Sequence, residues 1–139
     1  RRQRQMCIRD SFYDGLKFHR YVPGFVIQGG CPNTREMSAA DVAAGKSGPD
    51  GMPGTGNPGY SIKGEWKTNP NNSHEDGTLA MARSSMPDSA GSQFYFCLGP
   101  QHFLDTDYTV FGDTIEGIDV IGKLRAGSII ENITIENAD

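Results

Sequence analysis

The stretch FHRYVPGFVIQGG, residues 18–30, sets Arg20 and Gln28 among aromatic and β-branched residues, on either side of a Pro-Gly pair. A guanidinium and an amide on so short an apolar hairpin give up packing, so both are candidates for work on a ligand. An arginine supplies fixed N–H donors and keeps its charge at any ordinary pH. The other groups able to do chemistry are scattered. His19, His74 and His102 show no metal-site spacing, and no GxSxG elbow or similar nucleophile motif accompanies them. His19 alternates with Arg20 and is expected on the opposite side of the strand, in a structural role. His74, in NNSHEDG, is expected in a solvated turn. Cys7, Cys31 and Cys97 form no CxxC pair; Cys31 reads as a loop thiol and Cys97 as a small buried apolar residue. No metal and no cofactor is expected.

The elements that must hold these residues are mostly short strands. FHRYV and FVIQ predict two strands joined at Pro23-Gly24, where Pro sets φ and Gly tolerates a positive one. Residues 31–59 form a long connection rich in Gly, Pro, Ser and Asp, with a short helix expected between an N-cap at Ser38 and a stop at Gly45. YSIKGEW (60–66), TLAMAR (78–83), QFYFCLG (93–99), YTVFGDTI (108–115) and IIENITIE (129–136) are strand candidates. GIDVIGKLRAG (117–127) carries Ile118, Ile121 and Leu124 at a helical period. About six strands and one clear helix predict a mainly β fold: a closed antiparallel barrel with a helix near 117–126 over an opening.

Bulk properties narrow the partners. The 139 residues suffice for one domain, and the formal charge of −4 argues against nucleic acid. No run is apolar enough to span a membrane. Residues 1–11 read as foreign: RRQRQMCIRDS is what a common transposase-based sequencing adapter gives on translation. Setting aside residues 1–10 removes four Arg and one Asp and takes the charge to −7.

The motifs FHRYVPGFVIQGG, GSQFYF, FLDTDYTVFG and EGIDVIGKL, in this order, resemble the cyclophilin family of peptidyl-prolyl cis-trans isomerases, and TGNPGYSIKGE and LAMARS resemble its bacterial branch. The resemblance covers residues 12–139 and implies an eight-stranded antiparallel barrel with a helix at each end, here without its first two strands and first helix. It also implies an activity, rotation about Xaa-Pro bonds in proline-containing peptides and unfolded chains, that assists folding and needs no cofactor.

On that resemblance Arg20 is the donor to the prolyl nitrogen, Gln28 orients Arg20 and the substrate backbone, and Phe25 completes the catalytic set. Phe25, Val26, Tyr95 and Leu104 match the proline pocket. Val26 stands where methionine is usual and leaves more room; Tyr95 stands where phenylalanine is usual, and its hydroxyl needs a partner if buried. Ala82 and Arg83 match a segment that pairs with the substrate chain through backbone groups, the side chain of Arg83 being expected to matter little. Gln93 matches the neighbouring groove, and Gly54, Thr55 and Gly56 the loop beside it. Phe103 stands where cyclosporin-sensitive relatives carry Trp, which implies weak cyclosporin binding; Tyr108 stands where they carry His. Two other readings accompany this one: a non-catalytic proline-peptide binding module using the same groove, and an inactive truncated fragment. A cytoplasmic monomer is the expectation for location and assembly.

Overall fold

The structure is a computed structural model in which residues 11–84, 86 and 88–135 are described. The segment expected to be foreign lies, but for Ser11, outside the described residues. Five strands form one antiparallel sheet: β1 (Arg20–Val22), β2 (Val26–Gly29), β3 (Thr78–Met81), β4 (Phe94–Cys97) and β5 (Val110–Asp113), in the order β1-β2-β4-β3-β5. β1 and β2 are a hairpin, as expected. Gly24 takes φ +71° and the Phe25 N–H donates to the Val22 carbonyl at 3.0 Å, which closes the Pro23-Gly24 turn.

Register decides which residues meet. Arg20 pairs with Gln28, Gln28 with Tyr95, Tyr95 with Ala80, and Ala80 with Val110, so one row crosses all five strands. Side chains alternate between faces along each strand, so the two faces differ. One packs Val26, Ala80, Tyr95, Cys97, Leu104 and Val110. The other packs Tyr13, Leu16, Phe18, Ile27, Phe94 and Ile130. Ile27 is wholly buried, which is worth about 1.5–3 kcal/mol relative to leaving it in water. On this second side an apolar hollow of about 290 Å³ opens over Phe18, Leu79, Phe96, Phe111 and Ile133.

Four expectations change. Among the described residues the sheet is open, with β1 and β5 at its edges, and ring closure is not seen. YSIKGEW contributes only a single bridge, Ile62 to Ala90, because the chain turns at once: the amides of Thr68 and Asn69 both donate to the Glu65 carbonyl. IIENITIE likewise makes one bridge, Ile129 to Lys17: backbone bonds tie Ser128 and Ile130 to Gly15, Leu16 and Phe18, and the pairing stops there among the described residues. Two helices are short. α1 (Ala39–Ala43) starts at Ser38, whose hydroxyl accepts from the Asp41 amide at 3.1 Å. α2 (Ile118–Ile121) is a single turn rather than the longer helix expected near 117–126; Ile121 and Leu124 still pack on the core.

Candidate functional site

The row that begins at Arg20 opens into a cavity of about 370 Å³. Arg20, Gln28 and Phe25 line it with Val26, Ala82, Arg83, Tyr95, Leu104 and Tyr108. These nine thus share one site, although they come from four separate stretches of chain, and Gly54 and Thr55 of the expected neighbouring loop line it too. Its floor is apolar: Val26, Tyr95 and Leu104 are buried and Phe25 half-buried. Arg20 stands exposed at the rim with its guanidinium carbon 5.8 Å from the centre of the Phe25 ring, and makes no hydrogen bond to protein among the described residues. Phe103 is exposed and stacks outside on Phe25, with ring centres 5.7 Å apart.

A second cavity of about 450 Å³ continues the groove, lined by Gln28, Gln93, Ala82, Arg83, Tyr60 and the 54–57 loop. Gln93 ties its walls together. It accepts from Gln28 Nε2 at 3.1 Å and donates to the carbonyls of Gly54 at 3.0 Å and Gly56 at 2.9 Å. Gln28 was expected to orient Arg20. It stands opposite Arg20 in the ladder, and its amide nitrogen donates to Gln93. The Ala82 N–H is likewise taken, by the Gln93 carbonyl at 3.0 Å, so it is not open to a substrate chain.

Beneath the floor lies a network. The Tyr95 hydroxyl is 2.8 Å from Nε2 of His74, and Nδ1 of His74 is 2.7 Å from Oδ1 of Asp105. Asp105 also accepts from the His74 backbone amide at 2.7 Å and contacts His102 Nδ1 through Oδ2 at 3.1 Å. His74 is therefore wholly buried, not a solvated turn residue: NNSHEDG is turn chemistry, but the turn drives the ring inward, where two partners satisfy it. Because the carboxylate accepts from Nδ1–H, Nε2 is left as the acceptor for the tyrosine hydroxyl. Burial lowers the pKa of His74 against the opposing pull of Asp105, so the ring is held neutral. Burial opposes ionisation of Asp105, but the side-chain and backbone hydrogen bonds of His74 and that of His102 outweigh it and hold the carboxyl below its usual range. The Tyr95 hydroxyl is pushed up, first by burial and then by the neighbouring Cys97, Tyr108 and Asp105.

Several residues enter the site unannounced. His19 lines the first cavity's edge although it alternates with Arg20. Its Nδ1 is buried without a hydrogen-bond partner among the described residues, and burial, then the Arg20 charge, lowers its pKa to about 4. Cys31 lies in the loop after β2 and is wholly buried, and its Sγ accepts the amides of Gly54 at 3.2 Å and Gly56 at 3.3 Å. Trp66 and Tyr108 hold the Arg83 guanidinium, whose carbon lies 5.1 Å and 4.9 Å from their ring centres. The residue type was the available signal at His74 and Trp66: a histidine and the chain's single tryptophan, each in a polar loop.

A family model described as "Cyclophilin type peptidyl-prolyl cis-trans isomerase/CLD" matches residues 3–139. The chain belongs to the cyclophilins. This cyclophilin is 39% identical over 127 residues to peptidyl-prolyl cis-trans isomerase B of Bacillus subtilis, covering 91% of this chain and 75% of that protein. It is 38% identical over 132 residues to a peptidyl-prolyl cis-trans isomerase of Helicobacter pylori, covering 94% and 69%. It is 41% identical over 129 residues to another of Synechococcus elongatus, covering 91% and 74%. Its fold is similar to that of a Cryptosporidium parvum cyclophilin crystallised in the presence of the dipeptide Ala-Pro, with TM-score 0.70, 22% identity and 99% and 84% of the two chains covered. It is also similar to the Hirschia baltica cyclophilin AquaCyp293, with TM-score 0.63, 24% identity and 95% and 60% covered. The chain is a cyclophilin-type isomerase, as its motifs imply.

Proposed function

We propose that this cyclophilin accelerates cis–trans rotation about Xaa-Pro bonds in flexible or unfolded chains, with Arg20 as the donor that meets the twisted state. The observation that carries this is the placement of an exposed guanidinium, free of protein hydrogen bonds among the described residues, at the rim of an apolar cavity. Rotation faces a barrier of ~18–20 kcal/mol because the nitrogen lone pair is delocalised into the carbonyl. When the bond twists, that lone pair returns to nitrogen, which becomes a better acceptor. Arg20 then gains a hydrogen bond that neither planar isomer offers, and an interaction made only in the transition state lowers the barrier. The proline ring sits in the socket of Phe25, Val26, Tyr95 and Leu104 while the preceding carbonyl swings. Gln28, braced by Gln93, faces the substrate backbone. No covalent intermediate is required.

The test is exchange NMR on an Ala-Pro peptide without a helper protease. The chain accelerates exchange, and Arg20→Ala lowers kcat/KM by about 100-fold, in the range seen for loss of one charge-stabilising donor. An Arg20→Ala variant as active as the parent overturns the role. Acceleration of neither chain by a protein with dispersed amides favours the binding module.

Two finer readings accompany this. The open sheet is one wall of a closed barrel, a reading supported by the edges of β1 and β5, which meet no further strand among the described residues, and by the apolar hollow over Phe96 and Phe111. Cyclosporin binds weakly, since Phe103 offers no indole N–H; a submicromolar complex would count against that.

A further inference from the structure

The turn that carries Asn72 and His74 sits behind the proline cavity and reaches the segments that line it on several sides. The His74 ring meets the Tyr95 hydroxyl at 2.8 Å and stacks on the Tyr95 ring, with centres 5.9 Å apart and planes 13° from parallel. Its backbone amide and its Nδ1 both meet Asp105 Oδ1 at 2.7 Å, directly after the 3-10 turn His102–Leu104 that brings Leu104 to the cavity. Asn72 Nδ2 donates to the carbonyls of Asp105 at 2.6 Å and Tyr108 at 2.9 Å. The His74 carbonyl accepts from the Gln101 amide at 2.8 Å, and Gln101 Nε2 donates to the Gly24 carbonyl at 2.9 Å, next to Phe25.

These bonds join walls that the sheet alone leaves separate. Tyr95 is fixed along its strand by pairing with Gln28 and Ala80, whereas Leu104 and Tyr108 lie outside the strands. A ladder fixes the backbone of Tyr95, but the place of its ring is set by what the ring touches. Tyr108 meets it edge-on with centres 6.1 Å apart, and among the described residues His74 is the one hydrogen-bond partner of its hydroxyl. A socket for a single proline ring tolerates little movement of its floor, because productive contacts have to be held to about 0.5 Å.

We infer that His74 is a positioning residue for the proline socket: through the Tyr95 hydroxyl it sets the floor where the substrate ring requires it. The inference rests on the isomerase reading for what fills the cavity. His74 is wholly buried and does not line the cavity, so it acts through Tyr95. Without an acceptor at Nε2 the Tyr95 hydroxyl is left buried and unpaired. It regains a partner only by drawing water into the floor or by swinging toward the cavity. Either change costs affinity for proline. Arg20 stands on β1 at the exposed rim, outside this network, so the loss falls on binding more than on rotation.

The experiment is NMR titration of this chain and its variants with an Ala-Pro peptide, with exchange rates read on the same samples. His74→Asn places an amide where Nδ1 lies, keeps the bond to Asp105 and falls short of Tyr95. It weakens binding about fivefold, the equivalent of one net hydrogen bond, and raises KM likewise while kcat changes less. His74→Gln, whose amide oxygen reaches the place of Nε2, restores most of the affinity. Tyr95→Phe cuts the same bond from the other side and weakens binding by a similar factor. The double variant then loses about fivefold, not the roughly 25-fold of independent effects. A merely stabilising His74 lowers the folded fraction, and with it the apparent kcat, at unchanged KM; that result overturns the inference. So do losses that multiply in the double variant. If the His74 variants lack dispersed amides, Tyr95→Phe still decides, since parental affinity in that chain overturns the inference. A parent that binds the peptide without accelerating exchange ends the isomerase reading, while the affinity cycle still decides the role of His74. A parent that does neither overturns both.

Discussion

The Tyr95 hydroxyl lies 2.8 Å from Nε2 of the wholly buried His74. The ring that floors the cavity is thus bolted from below to a histidine that Asp105 orients in turn. Tyr95→Phe keeps the ring and removes the hydroxyl, which leaves Nε2 buried without a donor. Stability should fall by about 1–3 kcal/mol, the cost of an unsatisfied buried polar atom. Urea denaturation checks this through a lower midpoint at unchanged slope. A midpoint equal to the parent's would mean that the hydrogen bond contributes nothing net.

Stability should also depend on pH, and the sign can be worked out. His19 is lowered from 6.5 to about 4 by burial and then by Arg20, and His74 is lowered by burial against Asp105. Both are neutral in the folded chain, whereas in the unfolded chain they take up protons near 6.5. The unfolded state therefore binds more protons as pH falls below that value. The His19 contribution is complete above about 6.5 and is lost progressively toward about 4, and that of His74 is lost in the same direction. Asp105, also lowered, extends the loss in the same direction in more acid solution. Denaturation midpoints at a series of pH values check this, and His19→Leu should flatten part of the slope. A midpoint constant across that window would show that neither ring is held neutral.

Gln93 carries three hydrogen bonds that hold the groove's walls. Gln93→Leu should loosen the 54–56 loop and free Gln28 while leaving Arg20 in place. KM for a proline peptide should rise about fivefold, equivalent to about one net hydrogen bond, and kcat should change less. Steady-state kinetics separate the two. A fall in kcat at constant KM would instead place Gln93 in the rotation step.

Much of the site could be read from residue types alone. Arg20, Gln28 and Phe25 stood out because charge and amide are costly on an apolar hairpin, and alternation brought Gln28 beside Tyr95 once β2 and β4 paired. The need of the Tyr95 hydroxyl for a partner followed from burial; its identity did not, because His74 is 21 residues away and arrives by a loop. Asp105 and the Arg83 clamp were hidden for the same reason. Their contacts depend on how turns aim side chains, and no period in the sequence encodes that. YSIKGEW and IIENITIE show the converse: alternation marks where a strand could form, yet a ladder extends only as far as a neighbouring segment stays in register beside it.

Cys31 lies under the groove with the amides of Gly54 and Gly56 resting on its sulfur. A thiol reagent can reach it only when that loop lifts. In a chain with Cys7 and Cys97 replaced, the labelling rate of Cys31 thus becomes a clock for the loop, ticking each time the substrate groove breathes. A ligand that clasps the loop would slow the clock, which makes one cysteine a built-in reporter of occupancy that needs no catalysis to be read.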